Sequence, residues 1–507
     1  MQLKRLYIKE YKLFKDFTYE FPCDFQRYIN VLIGINGSGK STILEAIADI
    51  FSCVVLGEKA KFGFELEYSV ICVDASDIKN LVNHAQVCLY ATNKSAIRYR
   101  LKTSQSKGNI IDDYAKPELL NNVFIQEENA RIFNLLPDNL VIYYSGNSEI
   151  MRNICEPHNK KLSESLRKGE SSSVQFYYHE PKFFNIILLC LLSFEYGEVP
   201  TYLKQKAKIK GVAEIQIRIK KPRWAKTVVT IPDFWGATGE VKTFLDFLLS
   251  KSDFVNMVQL PGEAKKNQIN ISINEIDNQY IVFTISGQKQ LFEVRDFLIE
   301  EKNLFKILHT MYLDDLLDDI SLSLIKEENG EQKNFSILSE GEQQAITIKG
   351  LTELLAGENT LFLFDEPDTF LHPKWQRSFI SEIEETIEMH RPNELNYLIA
   401  THSPQILSNA KPDKTFVKII EDGQLVEQTP KHYGREISSI LYNLMGVEER
   451  NETIRKDLSK LFMLIEDEEI EEAEKMLNDL TDLLGDTDAD IQNATIQLNY
   501  LKEDEAN

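Results

Sequence analysis

Gly34-Ile35-Asn36-Gly37-Ser38-Gly39-Lys40-Ser41 is the stretch whose reading decides the fold. It satisfies G-x-x-x-x-G-K-[ST] at every position. The apolar run Tyr28-Ile29-Asn30-Val31-Leu32-Ile33 before it reads as a buried strand. Thr42-Ile43-Leu44-Glu45-Ala46-Ile47 after it reads as a helix. Glycines let the backbone curl until successive N–H groups point inward, a cradle for phosphate oxygens. The helix N-terminus adds partial positive charge. On this reading Gly34, Asn36, Gly37, Ser38, Gly39 and Thr42 line the cradle. Lys40 reaches terminal phosphates as a point charge, and Ser41 offers its hydroxyl to Mg²⁺.

Working outward, Leu361-Phe362-Leu363-Phe364-Asp365-Glu366 is an apolar strand that ends in two carboxylates. A buried parallel strand delivers its last residues to the ligand crevice of an open α/β sheet. Asp365 is then the carboxylate on the metal side, and Glu366 the group that orients or deprotonates a water. A second acid beside the first implies hydrolysis rather than binding alone. Leu338-Ser339-Glu340-Gly341-Glu342-Gln343-Gln344 reads as a helix start, another anion-ready N-terminus. Pro367-Asp368-Thr369-Phe370-Leu371-His372-Pro373 reads as a rigid exposed turn. Tyr397-Leu398-Ile399-Ala400-Thr401-His402-Ser403-Pro404 puts His402 just past another apolar strand, where it can donate to a γ-phosphate.

The rest of the 507 residues sets the frame. Apolar residues make up 43 % and charged residues 27 %, enough for a sizeable core and too balanced for wholesale disorder. Leu3, Leu6 and Ile8 alternate with charged residues, and alternation over residues 62–103 predicts an antiparallel patch. Leu140–Tyr144 is a further short strand, and Asp422-Gly423 marks a hairpin. Residues 160–310 open on a polar Lys-Ser-Glu-rich linker at 160–173 and mix helical and strand patterns. Their five prolines, with no sustained heptads, exclude a long coiled coil. The expected division is residues 1–159 and 311–435 for a split head, 160–310 for an inserted lobe, and 436–507 for an acidic helical region.

The net charge of −22 argues against a protein that coats nucleic acid generally. Residues 451–507 hold 17 acids against 5 bases. The opposite bias runs from Lys204 to Lys226, where nine lysines and arginines and Trp224 meet the single Glu214. A basic strip of this kind holds a phosphate backbone, or is a solvated strand face. The longest apolar run, Ile186–Phe194, is short of a membrane span. The N-terminus lacks an apolar signal core, so a cytoplasmic protein is expected. The six cysteines are scattered with no C-x-x-C pair and read as reduced core thiols.

Taken in order, the four motifs resemble those of the ATP-binding-cassette class of P-loop ATPases, in its SMC/RecF/OLD-like branch. The resemblance covers residues 1–50 and 335–405. It implies an α/β P-loop NTPase of ABC-ATPase type with an antiparallel β patch, an inserted mixed α/β lobe and a helical acidic C-terminus. Residues 34–41 would be Walker A, Leu361–Glu366 Walker B with its catalytic glutamate, Leu338–Gln344 the signature, Asp368–Pro373 the D-loop and His402 the switch histidine. Gln126 is the candidate for the coupling-loop glutamine.

The cofactors implied are ATP and Mg²⁺. Two heads would close on two ATPs, with Ser339 and Gly341 acting in trans on a second copy. Tyr433–Leu441 and Met445-Gly446-Val447 resemble the ATPase subunit of Septu-type anti-phage systems. That resemblance implies a separate nuclease subunit and DNA as the effector's target; the apolar stripe of the acidic helices is a docking face for that subunit or packs on the chain's own head. The alternatives are a RecF-like repair ATPase without such a partner, and a transporter energiser or tandem-cassette translation factor; the single phosphate loop disfavours tandem cassettes.

Overall fold

The computed structural model describes residues 1–505 apart from 23–26, 74–81, 104–110, 117–122, 126–130, 134, 147, 169–174, 226–232, 252–253, 260–278, 327–331, 335–337, 358, 391–394, 428–430 and 446–449. The described chain divides into two units, Met1–Gly434 and Arg435–Asn507.

A seven-stranded sheet forms the centre of the first unit. Its order is Gln175–Tyr178, Asn139–Tyr144, Thr360–Asp365, Leu395–Thr401, Ile29–Ile33, Thr415–Glu421 and Gln424–Leu425. All neighbours are parallel except the last pair, the hairpin turned at Asp422-Gly423. Ile29–Ile33 and Thr360–Asp365 are buried along their whole length, which is why they read as unbroken apolar runs. Register places Asp365 opposite Ala400 and Thr401 opposite Ile33. Parallel pairing therefore brings Gly34, Glu366 and His402, the residues after three strands, to one rim.

The phosphate-loop helix Lys40–Leu56 is buried on nearly every side. One side meets the central sheet. The other meets a six-stranded antiparallel sheet ordered Phe14–Glu20, Gln2–Tyr11, Phe64–Val73, Val82–Ala91, Arg98–Thr103 and Ile111–Tyr114. This is the patch predicted from alternation, and Phe51 of the helix meets Tyr68 edge-on at 5.4 Å. On the opposite face lie Phe184–Leu192, Glu301–Leu313 and Glu340–Leu354.

A second antiparallel sheet makes the lobe, ordered Phe254–Gln259, Gln279–Ser286, Ile209–Lys220, Leu317–Lys326 and Gln332–Asn334. Two details depart from the sequence reading. Helix Glu149–Lys168 runs through residues 160–168, part of the expected linker. Met151, Cys155, His158 and Leu162 recur at helical spacing on its buried side, Lys160 and Lys161 are exposed, and Ser163 is buried and donates to Asp314 at 2.7 Å. Gln175–Tyr178 pairs with the central sheet, and the lobe sheet continues to Asn334. Strand partnership is non-local and does not follow composition shifts along the chain.

The second unit has its own core, Leu458, Leu461, Ile465, Ala473, Leu477, Leu480, Ile491, Ala494 and Leu498. These come from Glu452–Glu466, Ile470–Leu484 and Ala489–Glu505. Among the described residues no helix is long and apolar enough to cross a membrane. Cys53, Cys155 and Cys190 are buried and Cys88 half-buried, all free.

Candidate nucleotide site

The loop after Ile33 turns on two left-handed glycines, Gly37 at φ 82° and Gly39 at φ 111°. Gly39 also sits under the turn between the first two strands. A Cβ there would lie 2.7 Å from the Phe14 ring. From the other side the Ser38 carbonyl accepts the Gly423 N–H at 3.1 Å. Gly39 caps the helix without a side-chain bond, so the first-turn N–H groups face the loop unclaimed. Lys40 is buried; its Nζ donates to the Gly34 carbonyl at 2.8 Å and the Ile35 carbonyl at 3.1 Å. Burial pushes its pKa down, against the pull of Glu366 and Asp365.

Asp365 ends its strand buried and hydrogen-bonded to Ser41. Burial pushes its pKa up to about 7, opposed by the Ser41 bond and Lys40 and reinforced by Glu366 and Glu45. Asp365 Oδ1 and Ser38 Oγ are buried without a hydrogen-bond partner. Buried polar atoms left unsatisfied are expensive unless a ligand meets them. The oxygen set, one carboxylate and one hydroxyl, suits a small hard cation that takes its remaining ligands from phosphate and water. Among the described residues no group of three His, Cys, Asp or Glu could hold a metal ion alone.

Glu366 lies beyond the strand in the left-handed region, φ 52°. Its N–H donates to the Ala400 carbonyl at 2.8 Å. One carboxylate oxygen is 2.6 Å from His402 Nδ1, and the other is 3.9 Å from Lys40 Nζ. A strained residue held by its surroundings is a mark of a functional position. Asp368, the first residue of the expected D-loop, reads from the sequence as part of an exposed turn. It is buried, and accepts from Thr401 Oγ1 at 2.9 Å. The available signal was a carboxylate three residues past Asp365 facing a strand that ends in threonine. Glu45, missed by the sequence reading, pairs with Lys12 against the phosphate-loop helix.

Ser339 caps helix Glu340–Leu354. Gln344 accepts the Phe370 N–H at 2.9 Å and donates to the Tyr143 hydroxyl at 3.1 Å. This helix start is thus tied to the turn after Glu366. Among the described residues no hydrogen bond or ion pair joins Ser339 or Gly341 to residues 34–42. Gln126 lies outside the described residues. Among the described residues Ser145 lies beside Asp365, its N–H donating to the Asp365 carbonyl at 3.2 Å.

Four cations of the basic strip are answered by acids. Arg218 pairs with Asp318 at 2.6 Å, Lys220 with Asp315 at 3.0 Å, Arg223 with Asp315 at 3.5 Å and Lys206 with Glu382 at 2.6 Å. Trp224 donates to the Asp314 carbonyl at 2.8 Å. The run 314–319 supplies most of this charge from the neighbouring strand. Lys226 lies outside the described residues.

Comparison with known proteins agrees with this geometry. Residues 1–228 match the family described as AAA ATPase domain. Residues 259–408 match the family described as AAA domain, putative AbiEii toxin, Type IV TA system. The two matches fall on the phosphate loop and on the acidic strand. The chain carries AAA-family ATPase domains and is an ATPase.

Its relatives give the neighbourhood. It is 21 % identical to a retron Vc95 probable ATPase of Vibrio cholerae, over 87 % of this chain and 78 % of that protein. It is 26 % identical to a retron Ec83 probable ATPase of Escherichia coli, over 37 % of this chain and 33 % of that protein. It is 24 % identical to the chromosome partition protein Smc of Methanocaldococcus jannaschii, over 54 % of this chain and 23 % of that protein. An ATP-binding cassette of an ABC transporter aligns over 87 % of this chain and 96 % of its own at 13 % identity, with a TM-score of 0.29. A likeness that slight leaves the fold to be read from this chain's own sheets.

Proposed function

We propose that the chain is an ATP-driven switch in anti-phage defence whose two-headed closure controls a separate nuclease. The observation that carries the catalytic part is the Lys40–Glu366–His402 arrangement beside the unsatisfied Asp365 oxygen. The loop N–H groups and Lys40 bind the β- and γ-phosphates, for which Lys40 exchanges its bonds to its own loop carbonyls. Asn36, Ser38 and Thr42 complete the cradle. Ser41 and Asp365 hold Mg²⁺, which when bound neutralises charge on the transferring phosphoryl oxygens. Glu366 orients the attacking water and takes up its proton. His402 fixes the Glu366 carboxylate at rest and turns to the γ-phosphate when it arrives.

Among the described residues no hydrogen bond or ion pair joins Ser339 or Gly341 to their own phosphate loop, which supports a role on the ATP of a second copy. Such a dimer closes with ATP and opens on hydrolysis, and the differential affinity is the driving force. Similarity to two retron ATPases and the AbiEii description support the defence reading, as does the Septu-like stretch at Tyr433–Leu441. The acidic helices, with Ile496 and Tyr500 exposed, are the proposed face for the nuclease subunit. DNA contact by the lobe falls to Lys208, Lys210 and Lys221, because Lys206, Arg218, Lys220 and Arg223 are engaged with carboxylates. The Smc similarity favours a second reading, a repair ATPase that grips DNA without an effector.

The test is the size of Glu366→Gln with and without ATP, then a cleavage assay with the product of the neighbouring gene. ATP-dependent dimers and ATP-dependent cleavage are expected. A Glu366→Gln protein that binds ATP but keeps its size defeats the switch.

A further inference from the structure

We propose that Asp368 is a positioning residue for hydrolysis: its buried carboxylate holds the Thr401 hydroxyl, and that hydroxyl fixes the backbone on both sides of His402. This rests on the reading of Glu366 and His402 above and names what sets their geometry.

His402 is not held by packing, since its side chain is 53 % exposed. Its contact with Glu366, Nδ1 to carboxylate at 2.6 Å, is the one that opens when His402 turns to a γ-phosphate. What remains to place it is its backbone. Thr401, fully buried, supplies the anchor. The Thr401 hydroxyl donates to Asp368 Oδ1 at 2.9 Å and accepts the Ser403 N–H at 2.9 Å. One hydroxyl thus ties the residue before His402 to the residue after it, and both to the tail of the acidic strand. The direction of this chain is fixed, because an ionised carboxylate can only accept. The hydroxyl proton goes to Asp368, and the oxygen lone pair stays open for Ser403.

Asp368 is itself held. Its carbonyl accepts the Gln376 side-chain amide at 2.9 Å and the Leu371 N–H at 3.0 Å. Pro367 ahead of it stiffens the turn. The charge is costly there: burial pushes the Asp368 pKa up, and the bond from Thr401 opposes the shift. A neutral side chain would serve a purely structural turn more cheaply. A local rule broken beside a reacting centre marks a residue kept for what it positions.

The experiment measures single-turnover ATP hydrolysis and fluorescent ATP-analogue binding on the full chain, with thermal melting alongside. Thr401→Val keeps the shape and removes the hydroxyl; Asp368→Ala removes the acceptor. Each is expected to slow hydrolysis at saturating ATP about 10–10²-fold while analogue affinity stays within about twofold. Thr401→Ser keeps the hydroxyl and is expected to hold the rate within about threefold of wild type. In a His402→Ala background, Thr401→Val is expected to slow hydrolysis by less than about twofold, because the group it positions is gone.

Equal slowing by Thr401→Val in both backgrounds overturns the proposal, since the hydroxyl then acts elsewhere. Loss of analogue binding in step with rate overturns it too, as does a Thr401→Ser protein as slow as Thr401→Val. If Asp368→Ala unfolds, Thr401→Val reads the same bond from the other side; unfolding of both marks a structural role and overturns the proposal. A His402→Ala protein that hydrolyses at the wild-type rate defeats instead the reading of His402 on which this rests.

Discussion

At the rim of the central sheet, Lys40, Asp365, Glu366 and His402 gather at or just past the ends of three strands, and Asp365 Oδ1 is left unsatisfied. On the lobe, Arg218, Lys220 and Arg223 sit on or just past one strand and are met by Asp315 and Asp318. Both regions look like functional charge in the sequence. The rim pairs Lys40 and His402 with Glu366 yet leaves Asp365 Oδ1 and Ser38 Oγ buried without a partner. The three lobe cations are spent on carboxylates of the neighbouring segment. The rim is therefore marked less by charge density than by polar atoms left for a ligand to meet.

The sharpest way to break that comparison is at the rim. Glu366→Gln should lower turnover about 10²–10³-fold while ATP binding persists, since a positioned base is lost and the cradle is not. Lys40→Ala should remove binding itself. Single-turnover rates and analogue binding read the two effects separately. A Glu366→Gln protein with wild-type turnover would move the base elsewhere.

Buried neutral histidines away from the rim sharpen the comparison through pH. Burial lowers the pKa of His179 to about 3, and of His309 and His158 to about 4. Each lies below the ordinary 6.5, so the unfolded chain binds more protons. Stability is fully present above about 6.5 and falls as pH drops toward the folded values. At about pH 5 the loss should be roughly 1–2 kcal/mol for each histidine, read by thermal melting. His309→Phe should flatten the slope; an unchanged slope would place the titration elsewhere.

Smaller effects belong to the lobe. Arg218→Met, removing a half-exposed partner of Asp318, should cost about 1 kcal/mol or less in denaturant unfolding. Reversing Lys208, Lys210 and Lys221 to glutamate should lower the salt slope of DNA binding by about 2–3. Reversing Lys220 and Arg223 instead should change the slope less, because carboxylates already hold them. Equal changes would erase the distinction drawn between the two sets.

The sequence alone determined the local chemistry. Eight consecutive residues specified the loop, because a phosphate cradle needs glycine at fixed steps before a helix. Four apolar residues followed by Asp365-Glu366 specified a buried strand and its end. Alternation gave the antiparallel patch, and helical spacing gave the acidic bundle. Only tertiary structure decided which of these meet. Strand order placed Leu395–Thr401 between the phosphate-loop strand and the acidic strand, so that His402 reaches Glu366. It buried Asp368 against Thr401, extended the head through Gln175–Tyr178, and paired the basic strip with residues 314–319. Pairing between distant strands depends on burial and register across the whole sheet, and neither quantity is carried by any short stretch of the chain.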